Sequence, residues 1–410
     1  ETSTSGGTTT NVGAMIGARG CVEEIQAADL TAGICRPAIY RVTVAWQGML
    51  ATVAPGVTCG QGLYGTDDGL RKAISAPVMA ILLSNNSRAR TETEKTSLKI
   101  ENGRYAIEVL AGEIQNAGYY AEFDPRGLTL PATKPDACAT DAASVAAAMR
   151  LHVQGYDDVS ATTLSCLPDV KAGTDVLVVR RASGCVAGVG DCAAMGTGNL
   201  AFQASSCGAA GELGSATVTN HYKLSTDTST FTLTRYDCAT VAEVRRFHVR
   251  IYYIANNDRT GDGIPTLKRA ELSNGAFVPV SLVQGVENMQ LEYGLDLLPA
   301  ALADGAADVY TPAPDLYNGC AAPACVQNWA SVVTARISLL TRNRDITAGH
   351  ADSKTYVLGR NADGTNAASG TDKTVGPLGD AYKRSAFQSL VRFYGPAGRT
   401  YSHKIFQESS

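Results

Sequence analysis

Charge is scarce in this chain: 18% of its 410 residues are Asp, Glu, Lys or Arg, and a net charge of −4 leaves no basic field to gather phosphates. Nucleic acid and acidic membrane surfaces are therefore excluded as expected partners. Histidine is equally thin. His152, His221, His248, His350 and His403 stand apart, and HExxH, GxSxG and GxxxxGK[ST] do not occur. Without those local signatures of zinc hydrolysis, acyl transfer and nucleotide binding, the expectation is a non-enzyme with no cofactor, and a triad built from distant residues is the alternative. Long apolar runs are missing too. The longest candidate, Val78 to Leu83, stops at Ser84, far short of the roughly 20 residues that cross a bilayer. The polar opening Glu1 to Gly7 lacks the basic and apolar stretches of a signal peptide, and little order is expected in the first ten residues.

What is present suits a secreted, strand-rich protein. Apolar residues make up 45%, enough to bury a core in two or three domains. Forty-one glycines among many Thr and Ser point to a loop-rich chain. Eleven cysteines are too dispersed for a zinc ribbon, and none forms a CxxC pair. Cys185 with Cys192 and Cys320 with Cys325 flank Gly-, Ala- and Pro-rich loops, where a disulfide would stiffen a turn lacking its own core. The expected compartment is oxidising, with reduced structural thiols as the alternative. Cys21, Cys35 and Cys59 precede residue 78 and eight cysteines follow it; the eight can pair internally, whereas the three leave one without a partner.

Alternation in YRVTVAWQGM (40 to 49) predicts a half-buried strand, and Asp67-Asp68-Gly69 reads as a turn into a further strand ending near Pro77. From Ser87 to Gly118 proline is absent, and Ile107, Leu110, Ile114 and Ala117 form an apolar stripe at helical spacing. A long helix capped by Gly118 follows. Strand-like runs recur at 175 to 183, 230 to 237, 247 to 256, 280 to 296, 330 to 343 and 385 to 395; the stretches near 184 to 215 and 345 to 380 read as surface loops. The fold class is α+β, with an antiparallel sheet packed on the helix.

Oxygen side chains at alternating positions, Asp258, Thr260 and Asp262 ahead of Gly263, make a weak calcium-loop candidate. Arg269 stands where an EF-hand places its bidentate Glu, so a hairpin turn is favoured. The turn Asp304 to Asp308 is given no ligand role. Tyr119, Tyr120 and Phe123 read as core aromatics closing the helix, with a partner patch as the alternative.

The strings IENGRYAIEVLAGEIQNAGYYAEF (100 to 123), VSLVQGVENMQLEYGLD (280 to 296), ASVVTARISLLTRN (330 to 343) and YKRSAFQSLVRFYGPAGR (382 to 399) resemble, in that order, the PilW family of type IV pilus assembly proteins, over about 79 to 400. YRVTVAWQGM with CGQGLYG and LRKAIS resembles the C-terminal part of PilV, a companion minor pilin, over about 10 to 78. The processed pilin start, an aromatic residue with a glutamate four positions on, is not matched by Glu1 and Ser5. A natural fusion, an engineered joining and pieces of two neighbouring subunits stay open.

The resemblance implies a pilin-like fold: a PilV-like β segment (1–78), a stalk-type helix (79–118) and a β-rich head (119–410). It implies a minor pilin that primes pilus assembly at or near the tip, extracytoplasmic and then on the cell surface, with membrane contact only through a stalk helix largely absent from this chain. Implied partners are other minor pilins, the major pilin and a PilY-type tip adhesin. The expected interface is the exposed face of the helix from Glu92 to Gln115 with the segment 279 to 293, represented by Glu92, Ile107, Leu110, Ile114, Val286, Met289 and Leu291. The alternatives are a type II secretion pseudopilin and a secreted adhesin or glycan-binding module.

Overall fold

The computed structural model describes residues 18–26, 39–46, 68–297, 304–320, 324–362 and 371–395, with side chains from residue 84 onward, Ala324 excepted. The first ten residues, Cys35 and Cys59 lie outside the described residues. The chain divides into two compact units, Glu1–Thr91 and Glu92–Ser410.

In the first unit, β1 (Ala18–Gln26) and β2 (Ile39–Trp46) pair antiparallel, with Val22 opposite Val42. The alternating segment is thus a strand. The strand expected after Asp67-Asp68-Gly69 is instead helix: α1 runs Asp68–Asn116, through Pro77 and on into the second unit. Leu70 to Leu83 lack period-two alternation and are rich in good helix formers, which outweigh the one proline. Gly118, at φ 75°, ends the helix in the left-handed conformation that costs other residues a steric clash, and its N–H reaches the carbonyl of Arg180.

The second unit is mostly β. Its larger sheet contains β3 (Val153–Tyr156), β4 (Val176–Val186), β5 (Ala201–Ala204), β6 (Tyr222–Ser225), β7 (Val244–Ala255), β8 (Thr266–Ser273) and β9 (Ala276–Gln284). Their order is β3-β4-β7-β5-β6, with β8 on β7 and β9 on β8. The smaller sheet, ordered β11-β10-β12-β15, holds β10 (Val286–Leu295), β11 (Val309–Thr311), β12 (Val332–Arg342) and β15 (Arg384–Arg392). A hairpin, β13 (Tyr356–Arg360) with β14 (Asp372–Val375), and two short helices, α2 (Ala142–Ala147) and α3 (Ala324–Ala330), complete it.

Two strand expectations need correction. The run at 280 to 296 is two strands in different sheets: Gly285, at φ 80° and with Arg342 O where a Cβ would stand, turns the chain between β9 and β10. The run at 230 to 237 forms only an isolated bridge, Thr234 with Val241. There the buried Gln203 side chain replaces the ladder, accepting from Leu233 N–H and donating to the carbonyls of Leu233 and Ala242.

Two cores follow. Ala106, Leu110 and Ile114 of α1, with Ala117 just past its end, pack with Leu291, Tyr293, Trp329, Ile337 and Leu339, each buried Leu or Ile side chain gaining about 1.5–3 kcal/mol. Tyr120 and Phe123 enter a second, aromatic core, stacking on Phe247 at 5.8 Å and tilting on Tyr222 at 4.6 Å. Tyr119 stays partly exposed. Among the described residues no helix is long and apolar enough to cross a membrane.

Candidate functional site

Helix α1 has a buried and an open face, and the difference corrects the expected interface. Leu110, Ile114, Val286, Met289 and Leu291 are at most 1% exposed, and Ile107 packs against them. They are the helix-to-sheet contact of this unit, because an apolar stripe must be covered before anything else can reach it. Glu92 is also engaged: Lys383 donates to it at 2.7 Å, Thr347 at 2.9 Å and Lys95 at 3.4 Å. Those bonds, Lys383 first, hold its carboxyl down at about 2. A second tie, Glu113, accepts from Arg181 and Arg250 and fixes the helix to β4 and β7. The open face carries Glu94, Leu98, Glu101, Arg104, Tyr105 and Glu108.

Beside that face lies a cleft of about 680 Å³ between α1, β9 and the end of β12. Leu98 and Tyr105 stand at its rim, 57% and 51% exposed, while Lys99 and Asn343 line it from within, 6% and 2% exposed. Neither was singled out in the sequence. A signal existed for Lys99: positions 99, 103, 106, 110, 114 and 117 continue one helical stripe, so this lysine sits where an apolar residue is expected. Asn343 carries no such mark.

The weak calcium-loop residues form a turn that uses its own oxygens. Asp262 accepts from the N–H groups of Asp258, Arg259 and Ile264, bonds that keep its carboxyl below the usual range, and Asp258 accepts from Gln284. Thr260 lies in the same turn. A different acidic group was missed: carboxylate oxygens of Asp157, Asp158 and Asp175 lie within 4.8 Å of one another. Burial, then the Asp158 charge, pushes Asp157 up to about 6, and burial raises Asp175 further. Lys373 pairs with Asp158. Adjacency of 157 and 158 is visible in sequence; Asp175 joins them only through the sheet.

Three of the described histidines are held by hydrogen bonds, His221 among them on Ser215 O at 2.9 Å, while Nε2 of His350 is buried with no hydrogen-bond partner among the described residues. His152 meets Val332 O at 3.0 Å, and His248 meets Glu271 beside Arg250. Four disulfides, Cys138–Cys166, Cys185–Cys192, Cys207–Cys238 and Cys320–Cys325, pair all eight downstream cysteines, including both pairs expected from their loops.

Residues 251–394 match the model of a family described as type IV pilus-assembly protein W, a narrower span than 79 to 400 and one that leaves 10 to 78 unmatched. Comparison with curated proteins finds no match. Among solved structures, a type IV-like pilin from Thermus thermophilus aligns at 12% identity over 74% of this chain and 96% of its own, with a TM-score of 0.30.

Proposed function

We propose that this chain is a non-enzymatic, extracytoplasmic subunit of a type IV pilus, a minor pilin that works by packing against other pilins. The observation that carries this is the family match over 251–394, a span that runs from within β7 through β15 and includes the sheet beneath α1. Four disulfides support an oxidising compartment. Priming of assembly, a place at the tip and contact with a PilY-type adhesin are the finer part of the proposal. Function then resides in surfaces rather than in a catalytic pocket.

The surface proposed for partner pilins is the open face of α1, now without its buried stripe. Reversing Glu101 and Glu108 to Lys with Arg104 to Glu leaves both cores untouched. The expected outcome is loss of co-purification with partner pilins at an unchanged melting temperature. Retained co-purification would remove this face from the proposal.

A further inference from the structure

The cleft beside α1 is lined by a cation, Lys99, that forms no ion pair among the described residues. Lys99 is only 6% exposed, and among the described residues its ammonium has no hydrogen bond or ion pair. The charges acting on it are mostly of its own sign, Lys383 and Lys354. Asp352, the acid acting on it among the described residues, is held by Arg384 at 2.9 Å and by the Tyr356 hydroxyl at 3.1 Å. Burial followed by these two lysines pulls the Lys99 pKa down. Asn343 lines the same cleft, only 2% exposed, with neither side-chain amide atom partnered among the described residues. Isolated buried polar groups of this kind are costly and normally paired.

Of the other cations of the cleft, Lys95 is committed to Glu92 and the carbonyl of Ile346 and Arg342 to Gly263 O and the ring of Tyr382, while Arg344 is exposed to solvent. Asp258 is taken by Gln284, and the exposed Asp345 is not among the charges acting on Lys99. Lys99 and Asn343 are thus the enclosed polar residues of this lining whose side chains have no hydrogen bond among the described residues, beside the exposed Leu98 and Tyr105. Strand β9, which also lines the cleft, pairs among the described residues only with β8, and apart from the Asn102 amide on Gln284 O it offers a main-chain edge. A desolvated charge ringed by exposed apolar side chains is the anatomy of an interface centre.

We propose that this cleft receives an acidic side chain from an extended segment of a neighbouring subunit, its carboxylate bonding Lys99 and the Asn343 amide while flanking apolar residues cover Leu98 and Tyr105. The claim rests on the filament-subunit reading for the identity of the neighbour and on the cleft alone for its chemistry.

The test titrates the full chain with the capped peptide Leu-Glu-Leu-Glu-Tyr, its Gln counterpart and glutarate, by calorimetry. The Glu peptide should bind at least about tenfold more tightly than either other probe, and Lys99→Met should abolish that preference. The same variant should melt higher by a few degrees, about what removal of a lone buried charge gives. Lys99→Gln serves as a second variant. No binding of the Glu peptide, equal binding of Glu and Gln peptides, or a preference that survives Lys99→Met overturns the proposal. So does a Lys99→Met chain that melts lower, since Lys99 would then have a structural partner. Glutarate binding as tightly as the peptide assigns the site to a free carboxylate and overturns the neighbouring segment. Co-purification of pilins that survives Lys99→Met removes the cleft and leaves the filament subunit; a chain that captures no pilin yet binds the Glu peptide through Lys99 does the reverse.

Discussion

Two clusters of charge make opposite predictions at the scale of single residues. Asp157 has its pKa raised from 3.8 to about 6, so the folded state retains a proton that the unfolded chain releases. Its contribution is favourable at pH below about 4 and is lost as pH rises through 6. Asp157→Asn should be nearly neutral at pH 4 and stabilising by about 1–2 kcal/mol at pH 7, read from urea unfolding at both pH values. Arg384 is the reverse case. Its side chain is 1% exposed and bonds Glu287, Asp352 and Asp380, joining β15 to β10 and to the segment before β13. Arg384→Met strands Glu287 and Asp352 without their partner and should cost about 3–5 kcal/mol in the same measurement. The stretch 345 to 380 reads in sequence as surface loop because Gly, Asn and Asp dominate it; Asp352, 1% exposed, is buried by a residue far along the chain.

Elements differ in how far they announce themselves. Strand β12, with Val333, Ala335, Ile337 and Leu339 buried, was legible because apolar residues dominate a run bounded by polar turns. TFTLTRYD was equally β-like and became a turn, since a glutamine from β5 supplies its hydrogen bonds and Cys207–Cys238 pins its end. Loop length sets what each disulfide should contribute. Cys207–Cys238 spans 31 residues and Cys320–Cys325 spans 5. Replacing both members of the first by Ser should cost about 3–4 kcal/mol and of the second about 2, checked by thermal unfolding.

For the molecule as a whole, among the residues with described side chains both cores draw on residues from Ala106 onward, and the four described disulfides lie from Cys138 onward. A chain of residues 92–410 should therefore fold, unfold in a cooperative transition and melt within a few degrees of the full chain by circular dichroism. A broad, low-temperature transition would show that residues 1–91 are needed for the fold. The sequence by itself determined the composition class, the apolar stripe of α1, most strands and the two short-range disulfides, Cys185–Cys192 and Cys320–Cys325, because each depends on periodicity, turn residues or proximity along the chain. It also carried the pilin-like surface as an expectation, but placed apolar residues there. Only tertiary structure decided that Leu110, Ile114 and Met289 face inward, that Gly285 divides one apparent strand between two sheets, and that Lys99 is enclosed with no ion pair among the described residues. Those facts depend on which distant segments cover a given face, and covering is settled by packing across the fold rather than by local pattern.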